Sequence, residues 1–436
     1  MKNSGIEWVG DIPNHWKIER MKACIALREG GVWGEEETGD NDTICLRVAD
    51  FDYDRFVFKN TSISALTKRH YRKSIVAKLR LLKGDIVIEK SGGGERTPVG
   101  RAVIFDKDYV ALFANFMDRL RCGAFVYPKF MLYIFATFYK NQYTRNYIKQ
   151  TTGIQNLDLS LMLNKEHVPM PPLSEQKAIA EFLDKKCGEV DALIADIQQE
   201  IETLEQYKRS VITETVTKGL DPSVPLKDSG IDWVQTIPNH WIVHPLYYYF
   251  EERKNKNIFA KEQNLLSLSY GKIIRKDINA NGGLLPENFN AYNIVEPKDI
   301  VLRLTDLQND RRSLRTGFVN ERGIITSAYV TLKAKKNIIQ EYFYYELHVF
   351  DLMKGLYNMG SGVRQGLNFD ELSKLKLFEP TIKEQMEIVA YIKEKEKKIE
   401  EIIADKQSQI ETLESYKKSL IYEYVTGKKE VSHVSL

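Results

Sequence analysis

Ser4-Gly5-Ile6-Glu7-Trp8-Val9, followed by Ile12-Pro13-Asn14-His15-Trp16, returns later as Ser229-Gly230-Ile231-Asp232-Trp233-Val234, followed by Ile237-Pro238-Asn239-His240-Trp241. A second stretch, Ile201-Glu202-Thr203-Leu204-Glu205-Gln206-Tyr207-Lys208-Arg209-Ser210, returns as Ile410-Glu411-Thr412-Leu413-Glu414-Ser415-Tyr416-Lys417-Lys418-Ser419. The first pair is offset by 225 residues and the second by 209, so the segment between the motifs is 16 residues shorter in the second copy. A framework has been duplicated while the inserts it carries have diverged. That pattern builds a two-fold scaffold presenting two different binding domains.

The second motif lies in a long helical pattern. Pro171-Pro172 precedes it, Ser174 is positioned as N-cap and Gly219 as the stop, which predicts one helix over 174–218. Its apolar residues recur at seven-residue steps, as Leu183, Val190, Ile197, Leu204 and Val211 in one register and Cys187, Ile194 and Ile201 in the other. The second copy, from about Lys383 to Thr426 before Gly427, repeats the seam as Ile392, Ile399, Leu413 and Leu420 with Ile403 and Ile410; Lys406 interrupts it. Each helix would be about 65 Å long at ~1.5 Å per residue. Two equivalent heptad helices in one chain are expected to pack on each other as an antiparallel pair.

The inserts read as mixed α/β. Leu82 to Lys90, then Ser91-Gly92-Gly93-Gly94, then Val99 to Phe105 predicts two strands around a glycine-rich connection, with a counterpart in Pro297 to Leu302 and Gly317 to Val319. The expected fold class is α+β with an internal pseudo-two-fold repeat. Its expected parts are 1–173, a helix over 174–219, 220–382, a second helix over 383–428 and a tail over 429–436.

A chain of 436 residues holds two to four domains. No run approaches the ~20 apolar residues of a membrane span, and the start lacks a signal-peptide pattern, so a cytoplasmic protein without membrane association is expected. Cys24, Cys45, Cys122 and Cys187 are too far apart for CxxC pairs and are expected to be buried small apolar residues. Residues 1–150 carry 25 Lys/Arg against 18 Asp/Glu, whereas 174–218 carry 6 against 10. The positive surplus therefore sits in the insert, as a polyanion partner would require.

The sequence lacks GxxxxGK[ST], GxSxG, HExxH and paired Cys/His ligand sets. His15 and His240 both lie in the Ile-Pro-Asn-His-Trp motif, where a turn-forming role is favoured over catalysis. Neither catalytic residues nor metal or cofactor ligands are expected on this chain. Nucleic-acid contact has better candidates, because Arg, Lys, Asn and Gln read base edges and basic or backbone donors hold phosphates. In the first insert these are Lys68, Arg69 and Arg72, then Lys90, Ser91, Arg96 and Thr97, then Gln155 and Asn156; in the second they are Arg303, Arg311, Arg312 and Arg315, then Arg364 and Gln365. A different class of function, a coiled-coil scaffold whose inserts bind protein partners, is the alternative.

The repeated Ser-Gly-Ile-(Glu/Asp)-Trp-Val and Ile-Pro-Asn-His-Trp motifs, the lead into Ser174-Glu175-Gln176 or Lys383-Glu384-Gln385, and the duplicated long helix together resemble the specificity subunit of type I restriction-modification systems, the HsdS family. The resemblance covers nearly the whole chain. It implies two target-recognition domains joined by two central helices in an antiparallel coiled coil, and a subunit without catalysis of its own. It further implies double-stranded DNA as ligand and two methyltransferase subunits carrying S-adenosylmethionine chemistry on adenine N6. Two restriction subunits using ATP and magnesium would complete the assembly. Recognition-domain sequence varies with the DNA target, so base-contacting residues do not transfer one by one.

Overall fold

The computed structural model describes residues 1–40, 42–151, 153–279, 288–307, 314–359 and 366–431. Helices α1 (Pro128–Lys140), α2 (Leu173–Lys218), α3 (Gln340–Leu352) and α4 (Ile382–Val425) frame it. The chain divides into one unit of residues 1–199 with 406–436 and a second of 200–405. Each unit thus combines one divergent insert with part of both long helices.

Both long helices form where the heptads place them, with small differences at their ends. α2 begins at Leu173, one residue before the expected cap, because the Pro172 carbonyl already accepts from the Gln176 N–H at 3.0 Å. α4 begins behind a reciprocal cap: Glu384 N–H donates to the Thr381 hydroxyl at 3.3 Å, and Thr381 N–H donates to the Glu384 carboxylate at 3.0 Å. Gly219 and Gly427 follow the helices at φ +75° and +70°. At Gly427 glycine is also required by space, since a Cβ would fall 2.4 Å from Pro13 Cδ.

In the first unit the long helices run in opposite directions. The Phe182 and Tyr424 rings meet at 4.5 Å, and further along Lys417 Nζ donates to Asp191 Oδ1 at 2.6 Å. Leu183, Cys187, Val190 and Leu420 are buried there, whereas Ile194, Ile197, Ile410 and Leu413 are half-buried. In the second unit Lys208 Nζ lies 3.7 Å from Glu400, the repeat counterpart of the Lys417–Asp191 pair. Ile392, Ile399 and Ile403 are buried in it, with Ile201, Leu204 and Val211 half-buried.

The first insert is built on a six-stranded sheet of order β1-β7-β4-β6-β3-β2, with β1 Ile25–Gly30, β2 Phe51–Asp52, β3 Val57–Phe58, β4 Ile86–Glu89, β6 Ala102–Ile104 and β7 Met117–Cys122. A small sheet of order β5-β9-β8 attaches to it, from β5 Ser91–Gly92, β8 Ile148–Thr151 and β9 Ile154–Leu157. The second insert repeats the centre of the large sheet as β10-β15-β13-β14, from β10 Phe250–Glu252, β13 Ile300–Leu302, β14 Thr316–Phe318 and β15 Val330–Ala334, with the hairpin β11 Leu266–Ser269 and β12 Lys272–Arg275 between β10 and β13 in the chain. The expected strand pairs around the glycine-rich connection and at Ile300 are the antiparallel β4–β6 and β13–β14. Strands buried on both faces explain their continuous apolar runs, such as Ile86, Val87 and Ile88, all fully buried.

The duplicated motifs tie each insert to its long helix. Ser4 Oγ accepts from Ile6 N–H at 3.1 Å and Ser229 Oγ from Ile231 N–H at 2.9 Å, with Gly5 and Gly230 at φ +67° and +64° completing the same turn. His15 Nε2 and Trp16 Nε1 reach the two Glu175 oxygens at 2.8 and 2.9 Å; His240 and Trp241 reach Glu384 at 2.8 and 3.3 Å. The histidines therefore do more than form the turn: they help anchor it to the first turn of the following helix. Gln176 accepts from Tyr127 N–H at 2.7 Å, and Gln385 accepts from Ile339 N–H at 3.0 Å, fixing the residue just before α1 and α3. In the first unit, Tyr422 and Lys428 donate to the carbonyls of Trp8 and Asp11 at 3.0 and 2.5 Å, bringing the end of α4 back to the N-terminal motif.

One duplicated contact has reversed polarity. Lys129 of α1 pairs with Asp184 of α2 in the first unit, while Glu341 of α3 pairs with Lys393 of α4 at 3.1 Å in the second. The equivalent tyrosines also use different acceptors: Tyr133 donates to Asp184 at 2.8 Å, but Tyr345 donates to Glu396 at 2.6 Å. Glu396 is the repeat counterpart of Cys187, one helical turn beyond the counterpart of Asp184.

Candidate nucleic-acid interface

Strands β1 and β4 both pair antiparallel with β7, so their C-terminal ends share one edge of the first sheet. β10 and β13 stand in the same relation to β15 in the second. Lys90, Ser91, Arg96 and Thr97 follow β4 at the first of these edges, and Arg303 follows β13 at the second. Beyond β4, Gly94 N–H donates to the Thr97 carbonyl at 3.0 Å, closing a tight turn that leaves Arg96 and Thr97 exposed.

The fold brings the Lys90–Thr97 cluster together with the distant Gln155–Asn156 pair. Ser91 stands opposite Asn156, which stands opposite Lys149, so these three residues cross the small sheet in one row. Ser91 Oγ donates to Asn156 Oδ1 at 2.7 Å, and Lys149 Nζ donates to Asp158 at 2.8 Å. The Lys149 hydrogen bond, then the Leu161 N–H, holds the Asp158 carboxyl below its usual range. Lys149 was absent from the sequence candidates; its place opposite Asn156 depends on a strand pairing that the sequence does not announce.

Several candidates have structural commitments. Lys90 Nζ and Arg28 Nε both donate to the buried Asp118 at 2.6 Å. Gln155 turns inward, 7 % exposed, and accepts from Val99 N–H at 3.3 Å. Arg315 requires the clearest correction. It is fully buried, and its guanidinium donates to the carbonyls of Arg303, Thr305 and Asp306 at 3.2, 2.8 and 3.0 Å. Its role is to shape the loop after β13, because a side chain enclosed in this way does not present its donors to a base edge. Arg303 is half-buried beside it.

Lys68 and Arg69 form a two-residue strand paired with Thr43–Leu46, and both are half-buried. Arg72 is exposed just before the short helix Lys73–Leu79. Arg311, Arg312, Arg364 and Gln365 lie outside the described residues. The four cysteines are free, three of them buried, and burial pushes the Cys24 and Cys122 thiols up to about 12 and Cys187 to about 11. Among the described residues, no group of His, Cys, Asp or Glu is arranged to hold a metal, and no helix is long and apolar enough to cross a membrane.

Two divergent inserts thus stand on a duplicated helical frame, and the chain is similar to several known proteins. Residues 61–203 match the type I restriction modification DNA specificity domain. A Methanocaldococcus jannaschii chain assigned as the type I restriction enzyme MjaX specificity subunit is 24% identical over 435 residues, covering 97% of this chain and 96% of that one. The StySPI specificity subunit of Salmonella potsdam is 24% identical over 233 residues, covering 52% of this chain and 48% of its own. A chain from a solved structure concerned with complex assembly and conformational transition of the type I R-M system superposes with a TM-score of 0.68 at 14% identity, over 96% of this chain and all of that one. Over nearly its whole length the chain is similar to a specificity subunit of a type I restriction enzyme.

Proposed function

We propose that this chain is the non-catalytic DNA-recognition subunit of a type I restriction-modification complex, reading a split and asymmetric duplex site through its two inserts. The observation that carries the proposal is the pairing of one repeated strand order with two unlike loop sets at the same sheet edge. Identical frames position the two edges equivalently, while different loops give each edge its own sequence preference. The duplicated framework would dock two methyltransferase subunits, which supply S-adenosylmethionine and adenine-N6 chemistry. Two restriction subunits would bring ATP and magnesium.

The test is selection from a random duplex pool by the chain co-expressed with its methyltransferase partner. The proposal expects enrichment of two unlike half-sites at a fixed separation. Their affinity should exceed that of random duplex by roughly 10³-fold or more at physiological salt. Sequence-blind binding that disappears at modest salt would favour a scaffold whose inserts bind protein.

A further inference from the structure

The segment leaving the first strand of each large sheet carries an aliphatic-aromatic pair toward solvent. In the first insert these are Val32 and Trp33, 38% and 37% exposed; in the second they are Ile258 and Phe259, 61% and 80% exposed. Each ring has a cation beside it: Arg69 Cζ lies 4.6 Å from the Trp33 ring centre and Lys261 Nζ lies 5.9 Å from that of Phe259.

Both presentations are braced from beneath. The Tyr71 hydroxyl hydrogen-bonds with the carbonyls of Val32 and Trp33, at 2.9 and 3.1 Å. Asn257, 1% exposed, donates to the Glu262 carbonyl and accepts its N–H, both at 3.0 Å. Phe259 and Ala260 are held at φ +66° and +47°, which residues with a Cβ adopt only when their surroundings enforce it. The two segments differ in sequence and length, yet they deliver the same chemistry from the same strand end.

We infer that these aromatic-cation pairs are duplex-contacting tips, one per recognition domain. Each places its ring against a base step or sugar at the groove edge and its cation toward the adjoining phosphate. The inference rests on the proposed DNA-reading function and adds residues to it. Aromatic faces suit any base, and apolar side chains that enter a step partly unstack it. Duplex DNA fits better than a protein surface because each ring comes with a cation and the inserts carry the chain's positive surplus.

The test uses the full chain co-expressed with its methyltransferase partner and a duplex carrying the selected site, with 2-aminopurine placed at successive steps. Binding by the wild type should raise fluorescence at one step beside each half-site. Phe259→Ala should abolish the rise beside one half-site and weaken affinity about tenfold, on the scale of one aromatic-base contact. Phe259→Leu, which keeps an apolar wedge, should retain much of both. Arg69→Ala should weaken the other half-site and reduce the salt dependence of binding. Variants that bind within twofold of wild type with the fluorescence unchanged would overturn the inference while leaving DNA recognition intact. Variants that instead lose the methyltransferase partner would reassign the tips to protein docking. A wild-type complex without sequence-selective binding would overturn the underlying function itself.

Discussion

His348 shows how one half-buried residue on α3 links this fold to pH. Burial, with Lys208 and Arg209 nearby, pushes its pKa down to about 4. An unfolded histidine binds its proton near 6.5, so between about pH 6.5 and 4 the unfolded chain holds more protons and acid lowers stability. Relative to His348→Gln, the wild type should therefore lose up to ~3 kcal/mol as pH falls from 7 to 4, and regain it as pH rises. Glu346, Asp351 and Glu396 are shifted upward chiefly by burial and act in the opposite sense, but both proteins share them. Parallel melting curves across that range would contradict the assignment. At this scale the sequence was only partly legible. The repeated His-Trp dipeptide and the repeated Glu in the first helical turn were visible separately, but His15 and Glu175 stand 160 residues apart. Arg315 resembles a surface cation until the folded loop wraps its carbonyls around it.

The helices carry a pairing code. Moving one insert to the other's position would set Lys129 against Lys393 or Glu341 against Asp184, replacing attraction with repulsion. These side chains are partly exposed, so Lys129→Glu should cost no more than ~1 kcal/mol, and adding Asp184→Lys should recover most of it. Thermal melts of the single and double variants form the cycle that checks this. A double variant no more stable than the sum of its parts would show that the pair lacks coupling. The heptad period made both helices legible, and the apolar runs did the same for β4 and β13. The small β5-β9-β8 sheet was less accessible, because short polar strands carry little periodic signal and their pairing is set by distant chain.

For the whole molecule, the continuous helix α2 contributes residues to both units, and under the proposed DNA-reading function its length is expected to set the half-site spacing. Four residues inserted near Ile201 add about 6 Å of helix at ~1.5 Å per residue and should lengthen the spacer by about one or two base pairs. An unchanged spacer would contradict that role. The duplication was legible at once from the sequence. The division into two units, each drawing on both long helices, becomes visible only in three dimensions. The most direct measurement is single-molecule mapping of N6-methyladenine in host DNA with and without this chain, alongside its methyltransferase partner. A split, asymmetric motif that appears only with this chain is the predicted result. Methylation that is absent, or identical without it, would contradict the account.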